Sequence, residues 1–523
     1  MNRQKPKAYI LTKNDSTAIQ KSSVYAAKML SGMIKTCLGP RAMQKIVLTK
    51  INTVEHTNDG ISILRELDVS FPTARCLIEL SQTQDDECGD GTTSVLILTA
   101  ELLEKVVKLL EEFHPIKVCK KLKIFKEKIL NFVETLATKG GFGDVDLLKV
   151  IEAAVSTKLC SQINVPIGAM AFEAIKKLCV EEGNKIDIKN NLKVVKVLGD
   201  FKECKVVDGI VIDKDIVHTQ MSKSVENPKI LLLDCGLEYK KGESATNIEL
   251  ENADDFTKML VEEEDQIKKL CNTIIGLEPN IVVCGKGVCD LASSILQEKN
   301  ITCLRRTSKI HLKRIAKATG SFIVSCIDDA KSEHLGECGK FEYKKIGKEY
   351  FSVFSNCKDP KAISLILCGP TKDINNELER NFMDAIKVAK NIVEDKRTFP
   401  GGGATEMAVS VFANSLSESA NSLLEKKIGD AITSAFQIIP NILLTNCGER
   451  NPLEKINSLF SQVKTTKNYF IGINGITGGI VDTREVVNEP FIVKIQCFKS
   501  VFDAVIQLIR IDGIVECVKI GNE

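Results

Sequence analysis

Tryptophan is absent from this sequence, and aromatic residues of all kinds make up only 5% of it. Proteins that bind single-stranded nucleic acid stack the bases on aromatic side chains, so we expect no such platform here. An excess of one charge is also lacking, because 71 Lys and Arg residues face 69 Asp and Glu residues. A nearly neutral chain offers little attraction to nucleic acid or to anionic membranes. We therefore expect no nucleic acid and no membrane among its partners.

The cysteines lack the spacing of a metal site. There are 19 of them, no C-x-x-C pair occurs, and the closest two are Cys284 and Cys289. None of the five histidines lies near a cysteine pair, so a zinc site is not expected. Scattered cysteines are typical of a reducing compartment, where they act as small buried hydrophobes. No signal-peptide core and no apolar run of membrane-spanning length is apparent, so we expect a cytoplasmic protein.

The spacing of apolar residues separates two helical ends from a mixed middle. Near the start, an alternating pair of runs at 45–49 and 53–57 predicts a hairpin, among helical patterns at 15–37, 72–88, 92–113 and 116–136. Short β-rich runs lie in the middle, at 229–234, 280–285, 301–306 and 321–326, and helical patterns separate the later ones. They return at 373–394, after 403 and at 500–511. The length predicts about three domains, with an α/β domain inserted into a helical one.

The strongest local signal is the run GDGTTS at 89–94, which opens a long helical pattern. Glycines let a backbone approach a phosphate closely, and the N–H groups of a helix start can receive its oxygens. Asp90 lies where a Mg²⁺ ion bridging those oxygens needs a carboxylate. Asp85, Asp86 and Glu87 precede it, and so many acids beside a phosphate require a cation between them. A capped helix after a glycine turn explains the same residues without a ligand, so both interpretations stay open.

Several other features are ambiguous when taken singly. LGP at 38–40 can be a helix stop, NDG at 58–60 a tight turn, and GGGA at 401–404 a stretch of bare backbone facing a ligand. Asp384 lies among charged residues on a helical stretch, which by itself indicates a solvated surface. No G-x-x-x-x-G-K-[ST] motif is present, so this is not a P-loop ATPase. The G-x-G turn at 285–287 lacks a third glycine and only weakly indicates a dinucleotide site.

Taken together and in order, these motifs resemble those of the group II chaperonins. The order and spacing of the motifs make the resemblance specific, although no single motif does. The stretches NDGISILREL, TQDDECGDGTTSVLIL and ERNFMDAIKVAKNIV are most similar to gamma subunits of the eukaryotic cytosolic chaperonin, called CCT or TRiC. The matching runs cover nearly the whole chain: LGP at 38–40, NDG at 58–60, GDGTTS at 89–94, ERNFMDA at 379–385, PGGGATE at 400–406 and NEP at 488–490.

The resemblance implies an α+β multidomain chaperonin fold. Its apical domain would be α/β, with a helical protrusion within residues 242–271 that forms a built-in lid. Its equatorial domain would be mostly α-helical and built from both chain ends. The implied segments are equatorial 1–145, intermediate 146–212, apical 213–367, intermediate 368–400 and equatorial 401–523.

The resemblance also implies a site for ATP and Mg²⁺. Asp90 would hold the metal, and Asp59 and Asp384 would position or deprotonate the attacking water. Lys158 would sense the γ-phosphate, and Glu489 would reach the ribose. The other implied residues contact the nucleotide: Leu38, Gly39, Pro40, Gly91, Thr92, Thr93 and Ser94 bind phosphates, and Gly402 and Gly403 pack on the nucleotide.

The function that follows from the resemblance is that of an ATP-hydrolysing chaperone subunit. Its partners would be related subunits in a hetero-oligomeric double ring, and its clients unfolded proteins such as actin and tubulin. ATP hydrolysis would drive closure of the lid. Two alternatives stand beside it: a chaperonin-like scaffold that binds ATP without hydrolysing it, and a dinucleotide enzyme built around residues 282–296. The intact Asp59, Asp90 and Asp384 argue against the scaffold, and the incomplete glycine motif against the enzyme.

Overall fold

The computed structural model describes residues 16–49, 54–139, 144–178, 186–239 and 253–514. The chain forms two compact units. The first combines Met1–Ala169 with Arg380–Glu523, and the second is Met170–Glu379. The first unit is thus built from both ends of the chain. The finer division into equatorial, intermediate and apical segments stays a prediction.

The helices fall largely where the apolar spacing predicted them. The last helix begins at Phe491, directly after its N-cap residue Pro490, rather than near residue 500. The helices at 60–66 and between residues 144 and 191 were not predicted. The helices are α1 (Ser16–Ile34), α2 (Gly60–Glu66), α3 (Pro72–Cys88), α4 (Thr92–Leu109), α5 (Pro115–Leu136), α6 (Asp144–Val155), α7 (Leu159–Ile163), α8 (Ile167–Leu178), α9 (Ile188–Asn191), α10 (Ala253–Gly276), α11 (Asp290–Glu298), α12 (Lys309–Thr319), α13 (Lys372–Glu394), α14 (Ala404–Glu418), α15 (Leu423–Phe436), α16 (Ile438–Cys447), α17 (Pro452–Thr466) and α18 (Phe491–Leu508).

The strands include the predicted hairpin, in which β1 and β2 pair antiparallel. They are β1 (Lys45–Leu48), β2 (Val54–Thr57), β3 (Thr138–Lys139), β4 (Leu192–Leu198), β5 (Lys205–Val207), β6 (Ile210–Ile212), β7 (Ser224–Glu226), β8 (Lys229–Leu233), β9 (Ile281–Cys284), β10 (Thr302–Leu304), β11 (Ile323–Val324), β12 (Gly336–Glu337), β13 (Lys340–Ile346), β14 (Glu349–Ser355), β15 (Ile363–Gly369), β16 (Arg397–Pro400), β17 (Ile471–Ile473), β18 (Ile480–Asp482) and β19 (Asn488–Pro490).

The first unit is a helical bundle organised around α4. Residues Val95–Leu98 of this helix are fully buried, because α1, α3, α15 and α18 pack around it. Small antiparallel sheets lie at the edge of the bundle, in the orders β19-β16-β3 and β17-β18. The predicted helical character of the chain ends is therefore confirmed.

The second unit contains a mainly parallel sheet with the order β10-β9-β8-β11, to which β12 pairs antiparallel. Alternate residues of β8 face two different cores: Leu231 and Leu233 pack with α10 and α11, and Ile230 and Leu232 pack with α12. A sheet covered on both faces is typical of an α/β domain, which the sequence predicted for the middle of the chain. Of the predicted protrusion, residues 253–271 lie in α10, and residues 242–252 lie outside the described residues.

Two smaller sheets of the second unit were not predicted. The antiparallel hairpin of β13 and β14 belongs to the sheet β6-β14-β13-β7, and β15 pairs with β4 parallel and with β5 antiparallel. The first strand of the β4–β15 pair is separated from the second by more than a hundred residues, so a local pattern could not reveal the pairing.

One apolar stretch is longer than the sequence analysis expected. Helices α15 and α16, spanning Leu423–Cys447, are together long and apolar enough to cross a membrane by length and composition. Their apolar side chains, among them Ile428, Ile432 and Phe436, lie in the core of the first unit. Burial in this core accounts for the hydrophobic composition of the stretch.

The aromatic centre of the first unit should be a strong determinant of stability. Phe436 is fully buried, and its ring centroid lies 5.3 Å from that of Phe498 and 6.0 Å from that of Phe502. Phe436→Ala should lower the free energy of unfolding by about 3–5 kcal/mol, since it removes a large buried ring and leaves a cavity. The control Tyr25→Ala, at a side chain that is 68% exposed, should change it by less than about 0.5 kcal/mol. Denaturant unfolding measures both, and equal effects would contradict the assigned core.

Candidate functional site

The start of α4 is shaped by two glycines on either side of Asp90. Gly89 has a φ of +71° and Gly91 a φ of +82°, values in the left-handed region that a side chain disfavours. A Cβ on Gly91 would also lie only 3.2 Å from Val493 Cγ1. Because the N-cap residue Gly91 has no side chain, no capping oxygen from it covers the first-turn N–H groups of α4. These groups are therefore suited to receive an anion.

The NDG turn lies directly against this helix start. Asp59 caps α2 and accepts hydrogen bonds from Ser62 N at 3.2 Å and Ser62 Oγ at 2.7 Å. A Cβ on Gly60 would come within 2.7 Å of Thr93 Oγ1, so only glycine permits the approach. Residues 58–60, which the sequence alone could explain as a simple turn, are thus brought to the first turn of α4.

The LGP turn contacts segments from the other end of the chain. Asn446 Nδ2 donates to Leu38 O at 2.8 Å. Gly39 has a φ of +89°, and a Cβ on it would lie 2.6 Å from Leu443 Cδ2. Pro40 packs on Gly475, where an added Cβ would lie 2.6 Å from Pro40 Cδ. This turn is therefore fixed against α16 and the segment that follows β17.

Helix α13 packs on the turn that precedes α4. Lys387 Nζ donates to Asp85 O at 2.9 Å, and Asn391 Nδ2 donates to Cys88 O at 2.9 Å. Gly89 touches the aliphatic part of Lys387 so closely that a side chain there would collide with it. These contacts orient the part of α13 that carries Asp384.

Asp384 is not the solvated surface residue that its charged neighbours suggested. Its carboxylate accepts a hydrogen bond from Lys158 Nζ, and the two side chains are 15% and 14% exposed. Asn58 Nδ2 donates to Thr157 O at 2.6 Å, which ties the segment carrying Lys158 to the NDG turn. Asp384 therefore contacts the buried ammonium group of Lys158, whereas its charged neighbours in the sequence predicted contact with solvent.

The charges of this cluster perturb one another. Burial alone would lower the pKa of Lys158, but the carboxylates of Asp384 and Asp59 raise it. Burial raises the pKa of Asp384 to about 7, Lys158 opposes that rise, and Asp59 adds to it. The cluster therefore contains more acid than base, and it favours either a bound proton or a further cation.

The glycine run after β16 and the NEP run at 488–490 form another side of the site. Gly402 and Gly403 have φ values of +63° and +74°, and a Cβ on Gly402 would lie 2.6 Å from Ile473 O. Glu489 lies on β19 opposite Phe399, and its carboxylate pairs with Lys494 Nζ at 2.8 Å. Burial raises the pKa of Glu489 to about 7, against the effect of Lys494.

All these segments line one cavity of about 850 Å³ in the first unit. Every site residue implied by the resemblance is on its wall: Leu38, Gly39, Pro40, Asp59, Asp90, Gly91, Thr92, Thr93, Ser94, Lys158, Asp384, Gly402, Gly403 and Glu489. The volume falls in the range of pockets that hold a nucleotide-sized molecule. The structure thus brings together residues that are up to four hundred and fifty positions apart in the sequence.

Other residues of the cavity wall were not predicted from the sequence. Asn474, Gly475 and Ile476 line the cavity and belong to the run NGITGG, whose Asn-Gly pair is a turn signal that could have found them. Lys494 also lines the cavity. It is a single lysine inside the apolar helical run FIVKIQCF, and that unusual position could have identified it. Neither the segment at 474–476 nor Lys494 belongs to a motif that carries the resemblance, so neither was predicted.

The site suits a metal that is held together with phosphate oxygens. Among the residues that the structure describes, no group of three or more His, Cys, Asp or Glu side chains is arranged to hold a metal. Mg²⁺ in nucleotide sites is usually held by one or two carboxylates together with phosphate oxygens and water. Asp90 beside the uncapped helix start fits that arrangement, since it supplies one carboxylate next to the place for the phosphates.

The G-x-G turn at 285–287 does not suit a dinucleotide site. β9, the G-x-G turn and α11 do form a strand, a turn and a helix in the second unit. However, the carboxylate of Glu238 lies against Gly287, and a Cβ on Gly285 would lie 3.1 Å from Asp234 Oδ1. A pyrophosphate approaching these glycines would therefore meet two carboxylates.

Asp384→Asn should alter how the stability of the nucleotide-free protein depends on pH. Its pKa is about 7 in the folded chain against an ordinary 3.8, so this carboxyl stabilises the fold at low pH. The contribution is present below about pH 4 and is lost as the pH rises through about 7. The melting temperature of the variant should therefore rise relative to that of the wild type between about pH 4 and 8.

Thermal unfolding of both proteins across this pH range makes the measurement. Lys158, whose pKa is raised by Asp384 and Asp59, keeps its proton throughout and adds no titration of its own to the comparison. A difference in melting temperature that stays constant with pH, or that falls as the pH rises, would contradict the assigned environment of Asp384.

Comparison with known proteins identifies the family of this chain. The model of the TCP-1/cpn60 chaperonin family matches residues 30–519. T-complex protein 1 subunit gamma of Encephalitozoon cuniculi is 51% identical over 520 residues, which cover 98% of this chain and 99% of that protein. The proteins of the same name from Schizosaccharomyces pombe and Homo sapiens are 40% and 39% identical, over 96% of this chain and 96% and 94% of theirs. The family predicted from the motifs is confirmed: the chain belongs to the TCP-1/cpn60 chaperonin family.

Proposed function

We propose that this chaperonin subunit binds Mg·ATP in the 850 Å³ cavity and hydrolyses it to drive protein folding. The observation that carries the proposal is the convergence of glycine turns, an uncapped helix start and an excess of acid on one cavity. Glycine turns and a helix start suit phosphates, and the acids require a cation beside them. Either feature alone has a structural explanation, but their meeting at one place does not.

The phosphates belong at the start of α4. Residues 91–94 supply backbone N–H groups and hydroxyls there, and the LGP turn at 38–40 closes the opposite side. Gly402 and Gly403 let the nucleotide lie close to the backbone, and Glu489 faces its ribose. Mg²⁺, when bound by Asp90 and the phosphates, supplies the positive charge that the acidic cluster lacks.

Asp384 is the proposed general base, with Asp59 helping to position the attacking water. In the nucleotide-free chain its carboxylate is bound to Lys158. A γ-phosphate competes for the same ammonium group, so binding of ATP frees the carboxylate to accept a hydrogen bond from water. A base whose pKa is about 7 is well matched to proton transfer near neutral pH.

The competing hypothesis is a scaffold subunit that binds ATP without hydrolysing it. Such a subunit has no need of a carboxylate that is buried, has a raised pKa and lies opposite the phosphate cradle. Asp384 meets all three conditions, which favours hydrolysis.

The remaining features of the proposal follow from the family. We propose that the chain has the equatorial, intermediate and apical segments implied by the motifs, and that it works in the cytoplasm. Its partners are related subunits in a hetero-oligomeric double ring, and its clients are unfolded proteins such as actin and tubulin. The relatives' name, T-complex protein 1 subunit gamma, supports assembly with subunits of other kinds.

Asp384→Ala should separate binding from chemistry. Loss of the base should slow hydrolysis by roughly 10²–10⁴-fold, while ATP binding survives because Asp90 and the phosphate cradle remain. Single-turnover hydrolysis and equilibrium binding should be measured on rings that carry the change at this position, with the ATP occupancy of the site recorded. Turnover of this site at the wild-type rate would show that Asp384 is not the base.

Two further variants serve as controls for that experiment. Asp373→Ala changes an exposed aspartate in the first turn of the same helix and should leave both measurements unchanged. Asp90→Ala should instead lower Mg·ATP affinity together with hydrolysis, because it removes the metal ligand. Unchanged Mg·ATP affinity in calorimetry would reduce Asp90 to a turn residue.

The native protein should sediment as a large particle that contains related but different subunits. One subunit cannot enclose a cavity large enough for a client, so folding activity should follow the particle. Sedimentation of the native protein, followed by identification of the co-migrating chains, makes the test. A discrete monomer at cytosolic concentration with full folding activity would be incompatible with the proposed assembly.

A further inference from the structure

A buried triad of charges, Lys494, Glu406 and Glu489, lies at the wall of the cavity. Lys494, on α18, pairs with Glu406 Oε1 at 2.5 Å and with Glu489 Oε2 at 2.8 Å. The side chain of Lys494 is only 6% exposed and that of Glu406 is 0% exposed. One ammonium group is thus shared by two carboxylates in the interior of the first unit.

The arrangement is costly if its role is only structural. Charges taken out of water must be paired and hydrogen-bonded, and an apolar core of the same volume is often as stable. In the described part of the chain, Glu406 Oε2 has no hydrogen-bond partner although it is buried. Glu406 therefore contributes one contact to the triad, its bond to Lys494, and it anchors that lysine from the core side.

The other side of the triad faces the cavity. Lys494 and Glu489 both line the cavity, and Glu406 is not among the lining residues that the structure describes. Glu489 also lies close to Gly401, where an added Cβ would be 3.0 Å from its Oε1. Pairing of β19 with β16 fixes the backbone of Glu489 at the same place. Its carboxylate is therefore held in one position before any ligand arrives.

We propose that Lys494, anchored by Glu406, is a positioning residue that presents the Glu489 carboxylate to the ribose hydroxyls and so sets the preference for ribonucleotides. The inference rests on the proposed ATP site and names the part of it that recognises the sugar. Lys494 does not need to touch the nucleotide; it acts through Glu489.

The charge of Lys494 matters as well as its position. Burial raises the pKa of Glu489 to about 7, and Lys494 is the group that opposes this rise. Without the lysine, burial would favour the protonated carboxyl group, which accepts hydrogen bonds from hydroxyls less well. Hydrogen bonds to a charged acceptor are about twice as strong as neutral ones, so the preference for ribose should fall roughly 10-fold.

The test compares binding of Mg·ATP with that of its 2′-deoxy and 3′-deoxy forms by calorimetry on the full-length chain. Glu406→Gln combined with Lys494→Met removes both charges of the anchor together, so that neither an unpaired Lys494 nor an unpaired Glu406 is left in the core. The preference for ATP over at least one deoxynucleotide should fall roughly 10-fold, with little change in the affinity for the deoxynucleotide. Lys126→Met is the matched control, because it removes a partly buried lysine that pairs with a residue of α18, Asp503. This variant should leave the preference unchanged.

A double-mutant cycle distinguishes positioning from general stability. Glu489→Gln alone should lower the preference about as much as the anchor variant, and adding it to that variant should lower it no further. Additive effects would overturn the proposal, and so would a wild-type chain that binds ATP and both deoxynucleotides equally. A wild-type chain that does not bind Mg·ATP at all would overturn the proposed function itself, whereas normal ATP binding with an unchanged preference in the anchor variant overturns only this inference.

Discussion

Burial of α4 on almost every side is the constraint on which the rest of the structure depends. Its neighbours come from both ends of the chain, and they leave its first turn as the part that meets the cavity. A helix held in this way cannot tilt or slide without opening the core. The proposed phosphate cradle is therefore as rigid as the core itself, and the glycines at 89 and 91 only have to give the ligand access to it.

Two lysines divide the work of balancing charge around this fixed point. Lys158 lies among Asp59, Asp90 and Asp384, on the proposed phosphate side, and Lys494 lies between Glu406 and Glu489, on the proposed ribose side. In both places carboxylates outnumber the ammonium group. Acidic side chains are thus held close to the proposed ligand without complete neutralisation, which suits a nucleotide that brings its own metal ion.

The sequence predicted local structure well wherever one segment decides it. The boundary between α3 and α4 was expected at Gly89 to Gly91 and lies there, because left-handed glycines and helix starts are local features. β4 and β15 were missed because each is half of a pair whose partner lies far along the chain. The start of α18 was misplaced because its first residues are as apolar as a buried strand.

The site was predictable only as a set. Asp384 by itself indicated a surface residue, since the residues beside it on the helix are charged and its partner Lys158 lies 226 positions away. The ordered motifs identified it, and the structure then supplied the contact that no local pattern contains. Neither a local pattern nor a motif identified Lys494, because it belongs to no motif and its two partners contact it only in the folded core.

The assembly of the first unit from both ends of the chain has a consequence for its synthesis. A ribosome makes α4 early, but α15 and α18, which cover it, are among the last segments to emerge. Until then α1 and α3 can cover α4 but its other sides stay open, and the cavity lacks the wall that carries Glu489 and Lys494. Contacts between such distant segments form slowly, and chains that await them are prone to aggregate. A protein whose family folds other proteins therefore itself spends most of its synthesis in the state that needs protection.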